Sequence, residues 1–302
     1  MLRRNIINAL FTRAAQTRST MTTDRPAHPQ GRAEPRLPPT GVNEAGGGPA
    51  FPGERPRISV VVPMHNESGN VLPLLQEIEA ALSPHAPFEA VVVDDHSSDD
   101  TLARLAQAAR TRPWLTVLSH RRNAGQSTAV VNGVQRARGH LVATIDGDGQ
   151  NPPAEIPKLM ARWAEVAAAH PGRPVLIAGW RAARNDTWVR RMSSRIANGV
   201  RARLLGDATP DTGCGLKLMA REHFLRLPYF DHMHRFLPAL VQREGGVVES
   251  VHVNHRPRTQ GRSHYGIHNR LWVGLVDLCG VMWLQRRARP TPVDRLDREQ
   301  PT

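Results

Sequence analysis

Residues 141–153 read LVATIDGDGQNPP. The apolar run Leu141 to Ile145 predicts a buried strand that delivers Asp146 and Asp148, one residue apart, into a glycine-bounded turn, with Gln150 one step further. Residues i and i+2 share a side in extended backbone, so Asp146, Asp148 and Gln150 can converge on one point. Hard oxygen ligands of this kind suit Mg²⁺ or Mn²⁺, which in turn grips a diphosphate. The competing reading is a solvated Asp-Gly turn between strand and helix, with Asp148 or Asn151 as the helix cap. A lone D-x-D does not separate the two.

Upstream of this stretch, short apolar runs alternate with helical spacing. Ile58 to Val62 predicts a strand stopped by Pro63, Val71 to Leu82 a helix, and Phe88 to Val93 a strand. Thr101 to Ala109 predicts a helix, Leu115 to Ser119 a strand, and Gln126 to Ala137 a helix. Continuous apolar strands separated by helices argue for an α/β protein with a parallel sheet covered on both faces. Such sheets place ligand sites beyond the carboxyl ends of their strands. Downstream the pattern predicts strands at Val175–Ala178, Leu216–Ala220 and Val247–His255, with a loop over Thr209–Gly215. Helices are expected at Val189–Leu205, Phe236–Arg243 and Leu271–Leu284, and a polar loop at Arg258–Tyr265.

Two more strand ends carry acids. Val91-Val92-Val93 runs into Asp94-Asp95, and Pro63-Met64-His65-Asn66-Glu67 sets a proline, a flat ring and a carboxylate together. Either segment also reads as a capping turn, with Ser97, Ser98 and Asp99 as N-caps and Asp95 serving that turn. Loops chosen only for capping would not be expected to place acids at all three strand ends.

The chain has 302 residues, 40% of them hydrophobic, which is ample for a substantial core. Its formal net charge is +13, and only Lys158 and Lys217 among 40 basic residues are lysines. Arginine's rigid fork of donors suits phosphate, so an anionic partner is permitted, whether nucleotide, anionic lipid or nucleic acid. Cys214 and Cys279 are far apart and form no C-x-x-C, so neither a disulfide framework nor a zinc site is indicated. The first twenty residues hold four arginines and a short apolar run, which fits either a transit-type leader or a true start at Met21. Residues 21–57 are rich in Pro, Gly and Arg and are expected to be disordered. The expected organisation is therefore a leader or disordered segment at 1–56, a catalytic domain at 57–266, an apolar C-terminal helix at 267–289 and a disordered tail at 290–302.

Taken in order, the P-x-x-N-E segment, V-V-D-D-x-S-x-D-x-T, N-x-G-x-x-x-A-x-x-x-G (Asn123, Gly125, Ala129, Gly133) and D-x-D-x-Q-x-P-P resemble glycosyltransferase family 2, nearest to its dolichol- and polyprenyl-phosphate sugar transferases. The resemblance runs from about Arg57 to Leu284. It implies the GT-A fold, a Rossmann-like, mostly parallel sheet flanked by helices, with a divalent metal site and inversion at the anomeric carbon. Carried over by motif, Pro63, His65, Glu67 and Asp94 would hold the nucleoside, and Asp146, Asp148 and Gln150 the Mg²⁺ or Mn²⁺, with Asp148 also close to the nucleotide-sugar. His65 stands where the family more often has Tyr or Phe.

On the acceptor side, Gly179-Trp180-Arg181 resembles the family's G-x-R, and Val189 to Ser194 its R-x-x-x-S helix start. The resemblance assigns Arg181, Arg190 and Ser194 to the acceptor phosphate; helical spacing puts the last two on one face. A solvated basic helix face is the alternative, and it suits Arg195, Arg201 and Arg203. Asp211 matches the aspartate beside the reacting centre, so Asp211 and Arg181 are the expected catalytic residues, while Cys214 reads as a small packed side chain. Arg256 to Gly266 resembles the R-x-x-G-x-S-K-Y loop that closes over donor phosphates, with Arg258, Arg262 and His264 as its contacts and His264 in place of Lys.

The stretch Leu271–Leu284 is shorter than the ~20 residues that span a bilayer, and Asp277 interrupts it. It fits a core helix, or one lying in the membrane interface with Trp272 and Trp283 at headgroup depth and Arg270, Arg286 and Arg287 on anionic lipid. The combined expectation is a cytoplasmic enzyme, peripheral on the inner face of the cell membrane, taking a nucleotide-sugar donor and a polyprenyl phosphate acceptor and binding no nucleic acid. A family 2 enzyme with a saccharide or other hydroxyl acceptor is the main alternative. A nucleotidylyltransferase would need a glycine-rich loop after the first strand, where PMHNE stands. A basic RNA- or membrane-binding protein would interleave aromatics with its charges, yet Phe, Trp and Tyr make up only 5% of the chain.

Overall fold

Val- and Ile-rich runs become the central strands because both of their faces are buried. In the computed structural model the described residues are 55–181, 199, 201–207, 209–257 and 267–287, within the compact unit Gly47–Thr302. Strands β1 (Ile58–Met64), β2 (Phe88–Asp94), β3 (Leu115–Ser119), β4 (Leu141–Thr144), β5 (Val175–Trp180), β6 (Lys217–Ala220) and β7 (Val247–His252) form one seven-stranded sheet in the order β3-β2-β1-β4-β6-β5-β7. All pairings are parallel except those of β6, which runs against both β4 and β5.

The helices α1 (Val71–Leu82), α2 (Thr101–Ala109), α3 (Gln126–Arg136), α4 (Ile156–Ala169), α5 (Arg221–Leu225), α6 (Leu237–Arg243) and α7 (Ile267–Gln285) cover the two faces. Period-two alternation divides the core. Ile58, Val60, Val62, Ala90, Val92, Ala143 and Ile177 pack against apolar residues of α1, α2 and α4. Val61, Val91, Val93, Val142 and Leu176 share the opposite layer with residues of α3, α5 and α6. Each valine, leucine or isoleucine among them, fully enclosed, contributes about 1.5–3 kcal/mol. Close approach matters here too: a Cβ on Gly133 in α3 would stand 2.4 Å from Val61 Cγ1.

Chain order leaves β1 outward through β2 and β3 and then returns to β4 on β1's other side. That reversal opens a crevice beyond the carboxyl ends of β1 and β4, and the LVATIDGDGQ segment ends there. The layered α/β plan is as expected, with several differences. β1 continues through Pro63 to Met64, because Pro63 lacks only a donor and the Met64 carbonyl accepts from Asp95 N at 2.7 Å. β7 stops at His252 and α7 starts at Ile267 rather than Leu271. Helix α4, which the sequence places after the Asp-Gly turn only in the capping alternative and without bounds, follows the Asn151-Pro152-Pro153 loop and fully buries only Ile156, Leu159 and Val166. The antiparallel sense of β6 is likewise absent from the periodicity.

The expectations for residues 1–54 and 288–302 lie outside the described residues, as do Arg190, Ser194, Arg258, Arg262 and His264. Of the predicted helix Val189–Leu205, residues 199 and 201–205 are described, and they are helical. Arg201, expected on a solvated face, instead pairs Nη2 with the fully buried Asp207 at 3.0 Å and donates to the Thr209 carbonyl at 3.4 Å. This tether fixes the approach to the 209–215 loop.

Candidate active site

The strand ends on the β1–β2 side are knitted together by short polar loops. Asn66 and His96 adopt φ of 55° and 60°, left-handed values that cost a non-glycine residue free energy and concentrate at functional sites. Asn66 Oδ1 accepts from Ser98 N at 2.7 Å, which locks the β1 loop onto the β2 loop. Asp95 does not serve the Ser97 turn. Its carboxylate accepts from Ala124 N (2.7 Å) and Gly125 N (2.8 Å) and pairs with His120 Nδ1 (2.7 Å), so it ties β2 to the entry of α3.

Around that frame sit the residues expected to hold the nucleoside. His65 bonds through Nδ1 to the Asp95 carbonyl at 2.9 Å, which sets the ring against the β2 end. Glu67 is buried, and its Oε2 accepts from Asn70 at 2.6 Å ahead of α1. Asp94 is 1% exposed. Its Oδ2 accepts from Ser97 N at 3.3 Å, whereas Oδ1 is enclosed with no hydrogen-bond partner among the described residues. A buried carboxylate oxygen without a donor is costly, and a ribose or base donor would satisfy it. Pro63 lines the recess described next.

At the end of β4, Asp146 opens into a small recess lined also by Gln126, Thr144, Lys217 and His234. Gln126 Nε2 donates to Asp146 Oδ1 at 2.7 Å. Gly215 presses its backbone on the same carboxylate, where a Cβ would come within 2.3 Å. Burial, and then the charge of nearby Asp148, push the Asp146 carboxyl up to about 6. A buried carboxylate whose proton affinity is raised by a neighbouring acid is what a divalent cation relieves. Among the described residues no group of three or more His, Cys, Asp or Glu side chains stands ready for a metal ion. A cation here would be held by Asp146 and Asp148 with further oxygens from water and diphosphate, the usual habit of Mg²⁺. Gln150 has other attachments than the expected shared point. Its Nε2 lies 3.4 Å from the Arg256 carbonyl and 3.5 Å from His255 Nε2, and Arg256 N donates back to the Gln150 carbonyl at 2.9 Å. It thereby binds the β4 loop to the segment after β7.

Beyond β5, Arg181 and Asp211 form a two-point ion pair, Nε to Oδ2 at 2.6 Å and Nη2 to Oδ1 at 2.9 Å, with both side chains buried. Burial alone would lower the Arg181 pKa, but the hydrogen bond and charge of Asp211 outweigh it and raise it. The two expected catalytic residues are thus joined, each fixing the other's orientation. Cys214 is fully buried and burial raises its thiol pKa, as suits a packed side chain.

Three residues around Asp146 escaped the sequence reading: Gln126, Lys217 and His234. Lys217 Nζ donates to the carbonyls of Thr212 (3.3 Å) and Cys214. His234, bonded to Ser127 Oγ at 2.7 Å, has its pKa driven down to about 3 by burial and then by the Lys217 charge, so its imidazole is neutral. The available clue was Lys217 itself, one of two lysines and six residues past Asp211.

Residues 59–227 match the family described as Glycosyl transferase family 2. The dodecaprenyl-phosphate galacturonate synthase of Rhizobium johnstonii is 36% identical over 243 residues, which cover 77% of this chain and 69% of that protein. The undecaprenyl-phosphate 4-deoxy-4-formamido-L-arabinose transferase of Edwardsiella ictaluri is 36% identical over 213 residues, 70% of this chain and 63% of that protein. The matched part is therefore about two thirds of either relative's length. Among solved structures, the mannosyl-3-phosphoglycerate synthase of Rubrobacter xylanophilus aligns with a TM-score of 0.54 at 18% identity, covering 79% of each chain. A Pyrobaculum calidifontis mannosyltransferase bound to GDP-mannose and Mn²⁺ gives 0.51 at 20% identity, covering 80% of this chain and 67% of that one. These structural likenesses establish the GT-A architecture. With the family match extending from β1 into the residues that follow α5, this chain belongs to glycosyltransferase family 2.

Proposed function

We propose that the protein transfers a sugar from a nucleotide-sugar, GDP- or UDP-linked, to a polyprenyl phosphate, with inversion and with Mg²⁺ or Mn²⁺. The observation that carries this reading is the crest of the sheet. It gathers Asp146, with its raised proton affinity, and the nearby Asp148 beside the buried Arg181–Asp211 pair. The names of the two relatives, both transferring onto a polyprenyl phosphate, support the acceptor class.

In this reading Asp94 receives the nucleoside, with Pro63, His65 and Glu67 framing it, and Asp146 and Asp148 hold the cation, with Gln150 adjoining. The bound cation supplies positive charge against the departing diphosphate. Arg181 places Asp211 at the reacting centre. A lipid phosphate is already anionic at neutral pH, so Asp211 chiefly orients the attacking oxygen rather than removing a proton. Arg190 and Ser194 would add contacts to the acceptor phosphate, and Arg258, Arg262 and His264 to the donor diphosphate. Fixed charges facing a developing anion are commonly the largest catalytic contribution.

The acceptor brings the protein to a bilayer. Among the described residues no helix is long and apolar enough to cross a membrane. Helix α7 instead packs Val281 and Leu278 on the body, while Val276 (68%) and Trp283 (58%) are exposed. Arg287 stacks on Trp283 at 4.7 Å. An apolar face bordered by arginine is suited to the headgroup boundary of an anionic leaflet, consistent with a peripheral enzyme on the cytoplasmic face.

The test is transfer from radiolabelled UDP- and GDP-sugars to undecaprenyl phosphate by the wild-type chain and Asp148→Ala. Mn²⁺-dependent transfer that the substitution abolishes is expected. Undiminished transfer by Asp148→Ala would end the metal-assisted reading.

A further inference from the structure

We infer that Lys217 is a positioning residue that sets Asp211 relative to Asp146, coupling the acceptor side of the site to the metal side. The inference rests on the reaction proposed above and assigns a part of the same site.

The geometry begins with β6. It lies between β4 and β5, and its antiparallel sense brings its first residue, Lys217, to the crest where its neighbours end. Lys217 pairs in register with Thr144 of β4 and Ala178 of β5. The loop 211–215 leading into β6 therefore has to span the two strand ends that carry the chemistry. At one end, Asp211 is bolted to Arg181 beyond β5. At the other, Gly215 lies against the Asp146 carboxylate, and its carbonyl accepts from Thr144 Oγ1 at 2.8 Å.

Lys217 closes this span. Its ammonium reaches back to the Thr212 and Cys214 carbonyls, gathering the middle of the loop over the start of its own strand. The side chain is 4% exposed and shares the recess with Asp146. Burial disfavours an ammonium, so a cation is an expensive way to satisfy two carbonyls that a hydroxyl or a water would serve. The Lys217 charge interacts favourably with both Asp146 and Asp211, and there the positive charge has a purpose. It lets the two acids sit near one another without forcing the loop apart. Gly213 and Gly215 keep the loop thin enough to pass, since a Cβ on Gly213 would meet Arg181 Nη2 at 3.3 Å.

Lys217→Met removes the charge at nearly constant length. With the full chain, undecaprenyl phosphate and the sugar nucleotide that wild type uses, kcat is expected to fall about a hundredfold, the cost of a roughly 1 Å misplacement. The donor KM should stay within about twofold and the Mn²⁺-dependent thermal shift with UDP or GDP should persist, since Asp146, Asp148 and the residues framing the nucleoside are all retained. Lys217→Arg, which keeps the charge, should recover at least about tenfold of the loss. In an Asp211→Asn background, adding Lys217→Met should cost little more, because the lysine acts through that aspartate. Equal kcat for wild type and Lys217→Met would overturn the inference, as would a fully additive loss in the double variant. Failure of both Lys217→Met and Lys217→Arg to fold would also overturn it, by making the residue a structural pin. Absence of transfer by wild type would instead count against the reaction proposed above.

Discussion

The two ends of the crest are built by different physical means. On the β1–β2 side, carboxylates are held mainly by backbone and side-chain amide donors: Asp95 by Ala124 N and Gly125 N, with the His120 ring beside them, and Glu67 by Asn70. On the β5–β6 side they are held by buried cations: Asp211 by Arg181, Asp207 by Arg201, and the linking loop by Lys217. Amide donors fix a carboxylate through the local loop and cost little if one is lost. A buried ion pair fixes it across distant strands, and losing one partner leaves an uncompensated charge. The β1–β2 side should therefore tolerate substitution around its acids, and the β5–β6 side should not.

The largest effect that would test this contrast lies where the two sides meet. Asp146→Asn should cut transfer roughly a thousandfold, about 4 kcal/mol. The sign of its effect on the metal-free fold is opposite. Asp146 keeps its proton to about 6, against 3.8 for an ordinary aspartate. The folded state thus binds the proton more tightly than the unfolded chain, so rising pH between those values removes stability. Asp146→Asn should abolish that loss and raise the melting temperature at pH 7.5, as a melt across pH would show. In the wild type, Mn²⁺ affinity should weaken as pH falls below about 6, since the cation displaces the proton.

Next in size, Arg181→Ala strips the guanidinium from a buried carboxylate and should cost about 3–4 kcal/mol in denaturant melts. A loss below about 1 kcal/mol would erase the distinction between the two sides. On the β1–β2 side the severe positions should be steric rather than electrostatic. Gly133→Ala drives a methyl into Val61 and should cost about 1–3 kcal/mol. The smallest effect belongs to α7: Trp283→Ser should lower binding to anionic vesicles about fivefold, roughly 1 kcal/mol, with an unchanged melt.

Much of the β1–β4 half is legible in the sequence because its signals are local. A β-branched run, a Gly-bounded acid and a helix of 3.6 period each lie within a dozen residues, and Asp94 and Asp146 could be read from them. What stayed hidden depends on contacts between distant segments. Nothing near Gln126 announces that its amide will meet Asp146, and nothing near His234 announces Ser127. The sense of β6 was equally hidden, because a four-residue run such as Lys217-Leu218-Met219-Ala220 alternates in the same way whichever direction it runs. Gln150 shows the converse: the i, i+2 rule put it with Asp146 and Asp148, but the Gly149 turn (φ 72°) ends the extended backbone on which that rule depends.

The antiparallel run of β6 also turns the stretch from Asp211 to Lys217 into a ruler. One end is pinned to Arg181 and the other is locked in register with Thr144 and Ala178. Deleting a single residue between them cannot be absorbed as slack. It would shift β6 by one position, exchanging every inward and outward side chain of that strand and carrying the lysine out of the site. Tolerance to length change should therefore be far lower there than in any other loop at the crest.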